Sequence, residues 1–184
     1  QDTLSLLDYQ NLMQAQEKLL KAKEIKIFGS HTNAMISQDF VTKMRRINRN
    51  VSIASTFHYI DYEAYHSTKD TCAIVISYTG ENDGMLKCID MLRERGSSII
   101  SLTSIGDNTI SKLSDVTLHI TTREKLYSKI ANFTSNTSII YLLNLLYAVV
   151  FTHDYDVNLE HIEVGQIFDS RRISSDIMRE NKTQ

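Results

Sequence analysis

Two short segments hold the residues best suited to binding an anion. One is 29–33 (GSHTN), the other 77–82 (SYTGEN). Both are rich in Gly, Ser, Thr and Asn, and each stands between an apolar run and a helical pattern. A helix start leaves backbone N–H groups unpaired and carries about half a positive charge. Hydroxyls and amides in the preceding turn add donors, and Gly80 lets the backbone approach closely. These are the means of holding a phosphate with neither a metal nor an arginine clamp. A second reading stays open, in which Thr32 or Asn33, and Asn82, serve simply as N-caps.

The spacing of apolar residues supplies the elements that would position these segments. Leu12, Ala15, Leu19 and Ala22 predict an amphipathic helix before residue 24. Residues 25–28 form a short apolar run ending at Gly29. Phe40, Met44 and Ile47 then recur at helical spacing, with Lys43, Arg45, Arg46 and Arg49 crowding the end of that helix. A second strand is expected at 51–54 and a short helix at 61–66. Residues 72–77 (CAIVIS) are nearly all apolar, as strands buried on both faces are. Met85, Ile89 and Leu92 mark a helix that Gly96 stops. A fourth strand at 98–103, a helical turn around Ile110 and Leu113, and a fifth strand at 116–120 follow. A long apolar helix is expected over 130–151 and another over 158–180.

This alternation predicts an α/β fold, a three-layer αβα sandwich around a doubly wound, five-stranded parallel sheet of flavodoxin-like type. In the common strand order 2-1-3-4-5, the ligand crevice opens between strands 1 and 3. Both polar segments then lie at one switch point.

Composition excludes several classes. The chain has 184 residues, 42% hydrophobic and 23% charged, with a net charge of −2 and no proline. That is ordinary globular composition rather than disorder, and it lacks the basic field of a domain steered onto nucleic acid. The run KMRRINR at 43–49 reads as cations complementing a helix C-terminus. The apolar stretch 139–151 is shorter than the about 20 residues of a membrane span, so a buried helix is expected and no membrane partner. No signal peptide is visible. The chain opens on Gln1, which reads as a piece of something longer. Cys72 and Cys88 are expected to be reduced thiols. The histidines show no ligand spacing, so neither metal nor cofactor is expected. There is no G-x-G-x-x-G, no G-x-x-x-x-G-K-[ST] and no G-x-S-x-G, which removes dinucleotide, P-loop and hydrolase readings.

The segment VISYTGEN at 75–82 resembles the S-x-[ST]-G-E-[TN] signature of the sugar isomerase (SIS) domain. AKEIKIFGSHTNAMISQDFVTKMRRI at 22–47 resembles the opening of SIS domains in RpiR-type transcriptional regulators. ISKLSDVTL at 110–118, Glu124, Ser135 and the helix ending at Leu145–Tyr147 are similar to that subfamily too. So is TLSLLDYQN at 3–11, which resembles the linker from a DNA-binding module. The resemblance implies one SIS domain over 1–184, with a leading linker helix (1–23), a core (24–151) and a C-terminal helical extension (152–184).

It also implies that Ser77, Thr79 and Asn82 bind the phosphate of a phosphosugar, with Tyr78 and Gly80 contributing backbone. The first loop is usually G-x-G-x-S in the family. Here Gly29 matches the first glycine, His31 stands for the second and Asn33 for the serine, with Thr32 between them. Glu124 lies where SIS isomerases place a carboxylate that acts on the sugar; it reads equally as a solvent-facing loop residue.

Two functions follow as expectations. The first is a cytoplasmic effector domain of an RpiR-type regulator of sugar metabolism. It would sense a phosphorylated sugar, assemble as a dimer or tetramer, and reach DNA only through an N-terminal helix-turn-helix outside this chain. It would have no catalytic residue. The second is a free-standing aldose–ketose phosphate isomerase, for which Glu124 and His31 are the candidate acid–base groups.

Overall fold

The computed structural model describes residues 2–54, 59–121, 125 and 131–168. A four-residue turn, α1 (Asp2–Ser5), precedes α2 (Tyr9–Lys21). Asp8 caps α2 by accepting from the N–H groups of Gln10 and Asn11, and the predicted stripe buries Leu12, Ala15 and Leu19. The leading helix therefore packs this stripe against the sheet's hydrophobic cluster.

The elements then alternate: β1 (Glu24–Gly29), α3 (His31–Ile36), α4 (Gln38–Arg46), β2 (Val51–Ala54), α5 (Ile60–Tyr65), β3 (Thr71–Ser77), α6 (Asp83–Glu94), β4 (Ser98–Ser104), α7 (Thr109–Leu113), β5 (Val116–Ile120), α8 (Phe133–His153) and α9 (Tyr155–Val164). A 3₁₀ turn, Gly165–Phe168, follows α9. All strand pairs are parallel and the order is β2-β1-β3-β4-β5, as the alternation predicts.

Side chains alternate across each strand, so the sheet feeds two cores. Ile25, Ile27, Ile74, Ile76, Ile100 and Leu102 pack with Leu19 of α2, Met44 of α4 and Leu142 and Leu146 of α8. Phe28, Ala73, Val75 and Ile99 pack on the other face with Ala64 of α5, Cys88 and Leu92 of α6, and Ile110 of α7. These are the two helix layers of the expected sandwich.

Three expectations shift in detail. The residues after β1 coil immediately, so a short helix α3 precedes α4. The last helix begins at Tyr155 instead of residue 158, and residues 169–180 of its expected span lie outside the described residues. The apolar stretch 139–151 sits within a 21-residue helix that is long and apolar enough, by length and composition, to cross a membrane. Length therefore excludes nothing. Packing accounts for the helix instead, because Ser135, Ser138, Ile139, Leu142, Leu143, Leu146 and Val150 are buried against the sheet and its neighbours.

The basic run at 43–49 is largely structural. Lys43 Nζ donates to Asn144 Oδ1 at 2.7 Å, which explains the single amide inside the apolar stretch 139–151 of α8. Arg45 Nε donates to the Val51 carbonyl at 2.8 Å, and Arg49 Nη1 to that of Leu20 at 3.2 Å. Both arginines thus tie α4 to its neighbours rather than present a nucleic-acid face.

Candidate functional site

β1 and β3 are adjacent and in register, with Gly29 opposite Ile76, so their carboxyl ends open side by side. The chain leaves β1 through Ser30, the N-cap of α3. Gly29 is closely approached: an added Cβ would lie a tight 3.0 Å from Asn33 Cβ. Asn33 Nδ2 donates to the Ile76 carbonyl at 3.2 Å. Its amide donor is thus used to tie the first loop to the end of β3.

β3 ends at Ser77, which is buried. Tyr78 follows, half-buried against the core, and its carbonyl accepts from the Ser104 N–H at 3.2 Å. Thr79 is exposed, and its Oγ1 accepts from the Glu81 N–H at 3.2 Å, closing a tight turn. Gly80 holds φ at +67°, the left-handed region, and its carbonyl accepts from Ile110 N at 3.0 Å. Glu81 Oε1 accepts from Thr109 N at 2.7 Å. Hydrogen bonding from the Thr109 side chain, and then from its N–H, holds the Glu81 carboxyl below its ordinary value. Asn82 caps α6, its Oδ1 accepting from Met85 N at 3.0 Å. The capping reading is therefore right for Asn82. For the first loop it is not, because α3 begins at His31, and neither Thr32 nor Asn33 precedes it.

The third wall is the start of α8. Asn132 is its N-cap position but makes no side-chain cap bond. Asn132 Oδ1 is buried and has no hydrogen-bond partner among the described residues. Together these elements enclose a cleft of about 250 Å³, lined by Ser30, Asn33, Ile76, Ser77, Tyr78, Thr79, Asn82, Met85, Asn132, Ser135, Asn136 and Ile139. None of these described lining residues carries a formal charge. The amino ends of α6 and α8 both face the cleft, so its field is positive without a cation.

Five expected residues thus line one cleft: Asn33, Ser77, Tyr78, Thr79 and Asn82. Gly29 and Gly80 shape its rims without lining it, and Thr32 is exposed outside the lining. The side chain of His31 and the whole of Glu124 lie outside the described residues. Asn132 and Asn136 were missed, although an Asn directly ahead of a long apolar helix is a cap signal that marks 132 as a helix start. A larger groove of about 570 Å³ lies at the opposite ends of the strands, beside Lys18, Asp70 and Asp115. Its carboxylates are already paired, Asp115 with Lys18 and Asp70 with Lys23. Among the described residues no group of His, Cys, Asp and Glu could hold a metal ion.

A doubly wound sheet with a polar cleft at its switch point is the architecture of a small-molecule binding domain. The SIS domain model matches residues 18–149, and the chain belongs to that family. Its relatives include the HTH-type transcriptional regulator YbbH of Bacillus subtilis, 25% identical over 163 residues, which are 89% of this chain and 58% of YbbH. The chain thus spans about three-fifths of the length of that relative. Among solved structures, the Vibrio vulnificus NanR protein complexed with ManNAc-6P superposes with a TM-score of 0.80 at 20% identity. That match covers 92% of this chain and 65% of NanR. The sugar isomerase domain of an RpiR transcription factor from Sphaerobacter thermophilus gives 0.78 at 16% identity, covering 90% of each chain. A Methanococcus jannaschii protein whose structure was taken to imply 3-hexulose-6-phosphate isomerase function gives 0.68 at 17% identity, covering 84% of this chain and 83% of that one. The fold is thus shared by regulators and by a protein of inferred isomerase function.

Proposed function

We propose that this chain is the phosphosugar-sensing effector domain of an RpiR-type transcriptional regulator of sugar metabolism. The observation that carries the reading is the cleft at the ends of β1 and β3. Ser77 and Thr79 offer hydroxyls there, and two helix amino ends supply a positive field. Such a site suits a phosphate joined to a polyhydroxylated body. The regulator relatives, and the sugar phosphate in NanR, support the same ligand class.

In this reading Ser77, Thr79 and the Tyr78–Gly80 backbone hold the phosphate, with Asn82 fixing the start of α6. Asn33 and Gly29 shape the first loop, and the family resemblance assigns Thr32, His31 and Glu124 to the sugar. The domain is 1–184, with 24–151 as its core, 1–23 leading from a helix-turn-helix module carried elsewhere in the whole protein, and 152–184 as its extension. That module, in the cytoplasm, is the contact with DNA. The domain works as a dimer or tetramer, and the exposed Ile140 and Tyr141 of α8, with Tyr155 and Val157 of α9, provide apolar surface for self-association. Light scattering should give a mass well above the single-chain 21.1 kDa; a monomer at micromolar concentration would remove the self-association.

Titration calorimetry with a panel of aldose and ketose phosphates tests the ligand class, and binding of none would end it. The alternative, an aldose–ketose phosphate isomerase, is favoured by the isomerase function inferred for the Methanococcus neighbour. NMR of the same mixtures decides between them. Interconversion near the typical enzyme rate of about 10 per second would replace sensing by catalysis.

A further inference from the structure

We infer that the hydrogen bond between Thr3 and Ser138 is a latch that passes occupancy of the cleft to the segment leading into α2. This rests on the effector-domain reading, in which residues 1–23 lead from the DNA-binding module. Ser138 is buried, and its Oγ lies 2.6 Å from Thr3 Oγ1 of α1. The same Oγ accepts from the Thr121 N–H at 3.3 Å, directly after β5. Three segments therefore meet on one hydroxyl: the leading turn, the end of the sheet and α8. On α8 this hydroxyl is flanked by residues that line the cleft, Ser135 before it and Ile139 after it. Ser135 and Ser138 are about 4.5 Å apart along the helix axis, at roughly 1.5 Å per residue. One turn of α8 is thus shared by the cleft wall and the anchor of α1.

The leading segment is held unevenly along its length. α2 buries Leu12, Ala15 and Leu19, and Asn11 Nδ2 donates to the Thr117 carbonyl at 3.2 Å. The one apolar side chain of α1, Leu4, is 57% exposed, and Thr3 is half-buried. An element with so little apolar burial opens easily, so one hydrogen bond changes its docked population several-fold. α2 has no such freedom short of opening the core. A sugar phosphate that settles against Ser135 and Ile139 restrains the first turns of α8, keeps Ser138 in place and so favours docked α1. Coupling of this kind is reciprocal: if the occupied cleft favours the latch, the latch favours occupancy by the same factor. Thr3 is not part of the cleft wall, yet its hydroxyl must then affect affinity.

The test uses Thr3→Val, which keeps the shape of the side chain and removes its hydroxyl, in the full chain. The probe is whichever member of the aldose and ketose phosphate panel binds the wild type best. The N–H groups of Leu6 and Leu7 bond to the Thr3 and Leu4 carbonyls and so report on α1. In the wild type, their solvent exchange, followed by NMR, should slow about threefold or more when the probe binds. In Thr3→Val they should exchange faster than in the wild type, and affinity for the probe should fall roughly three- to tenfold. Asn11→Ala is the control, since it removes a bond of α2 to β5 away from the cleft. It should lower the melting temperature and leave affinity within about twofold. Unchanged affinity in Thr3→Val, or an equal loss in Asn11→Ala, would overturn the latch. So would wild-type exchange at Leu6 and Leu7 that ignores a bound probe. A wild type that binds no member of the panel would overturn the phosphosugar reading and the latch with it, whereas binding with unmoved α1 overturns the latch alone.

Discussion

Gly80 and Asn108 fit so closely that a Cβ on Gly80 would lie 2.0 Å from Asn108 Oδ1. Asn108 is itself fully engaged: its Oδ1 accepts from Ser111 N at 2.9 Å and its Nδ2 donates to Thr103 Oγ1 at 3.1 Å. It cannot move aside without releasing the cap of α7. The loop after β3 is thus fastened to the loop after β4 by this contact, by the Gly80–Ile110 backbone bond and by the Glu81–Thr109 bond. The hydroxyls of Ser77 and Thr79 are held on a rigid turn as a result.

Gly80→Ala should therefore be severely destabilising. The left-handed backbone alone costs a non-glycine residue roughly 1–2 kcal/mol, and the overlap with Asn108 adds to it. A drop in melting temperature of at least about 4–8 °C is expected. Gly106→Ala is the control. Its φ is +111°, but an added Cβ would meet nothing within 4 Å, so the loss should be smaller. Equal losses at the two glycines would show that the Asn108 contact contributes little.

Thr79 and Asn82 should separate cleanly. Thr79 is exposed and its side chain accepts a turn hydrogen bond, whereas Asn82 caps a twelve-residue helix. A hydrogen bond to a charged oxygen is worth roughly 1.5–3 kcal/mol, so Thr79→Ala should weaken a phosphosugar about 10- to 100-fold with little change in melting. Asn82→Ala should cost about 1 kcal/mol of stability through the lost cap. Calorimetric titration and thermal melts on both variants check this. A Thr79→Ala protein that melts early and binds normally would make the loop scaffolding.

The Glu81 carboxyl makes a pH-dependent contribution of known sign. Accepting from Thr109 lowers its folded-state pKa below the ordinary 4.5. A depressed carboxyl contributes stability that is complete above its unfolded pKa and is lost as pH falls through the folded one. The melting difference between wild type and Glu81→Gln should be constant from pH 7 to about 5.5 and shrink below 4.5. A difference that grows in acid would contradict the bond.

Both cysteines should be inert in the folded protein. Burial pushes the Cys72 thiol up to about 11, and burial together with the neighbouring Asp61 charge pushes Cys88 up to about 12. The thiolate is the reactive form, so neither should be alkylated at pH 8 until the chain unfolds. Rapid labelling of native protein by iodoacetamide would show that one of these sites opens.

What could be read from the residues in order is local in origin. The apolar runs at 25–28, 72–77 and 98–103 announce buried parallel strands because period and length are properties of a few consecutive residues. Strand order followed from a common topology, and SYTGEN declared its hydroxyls and its glycine by residue type alone. What only the folded chain decided involves partners far apart along it. That the Asn33 amide is occupied by the Ile76 carbonyl depends on how β1 and β3 pair, 43 residues apart. That Gly80 answers to Asn108 depends on the β3–β4 register. That α8 brings Asn132 and Asn136 back to a cleft begun at residue 30 depends on the crossover after β5, and no spacing in the sequence encodes it. An unpaired acceptor is the extreme case, because its lack of a partner is a property of everything packed around it and appears only once the chain has closed.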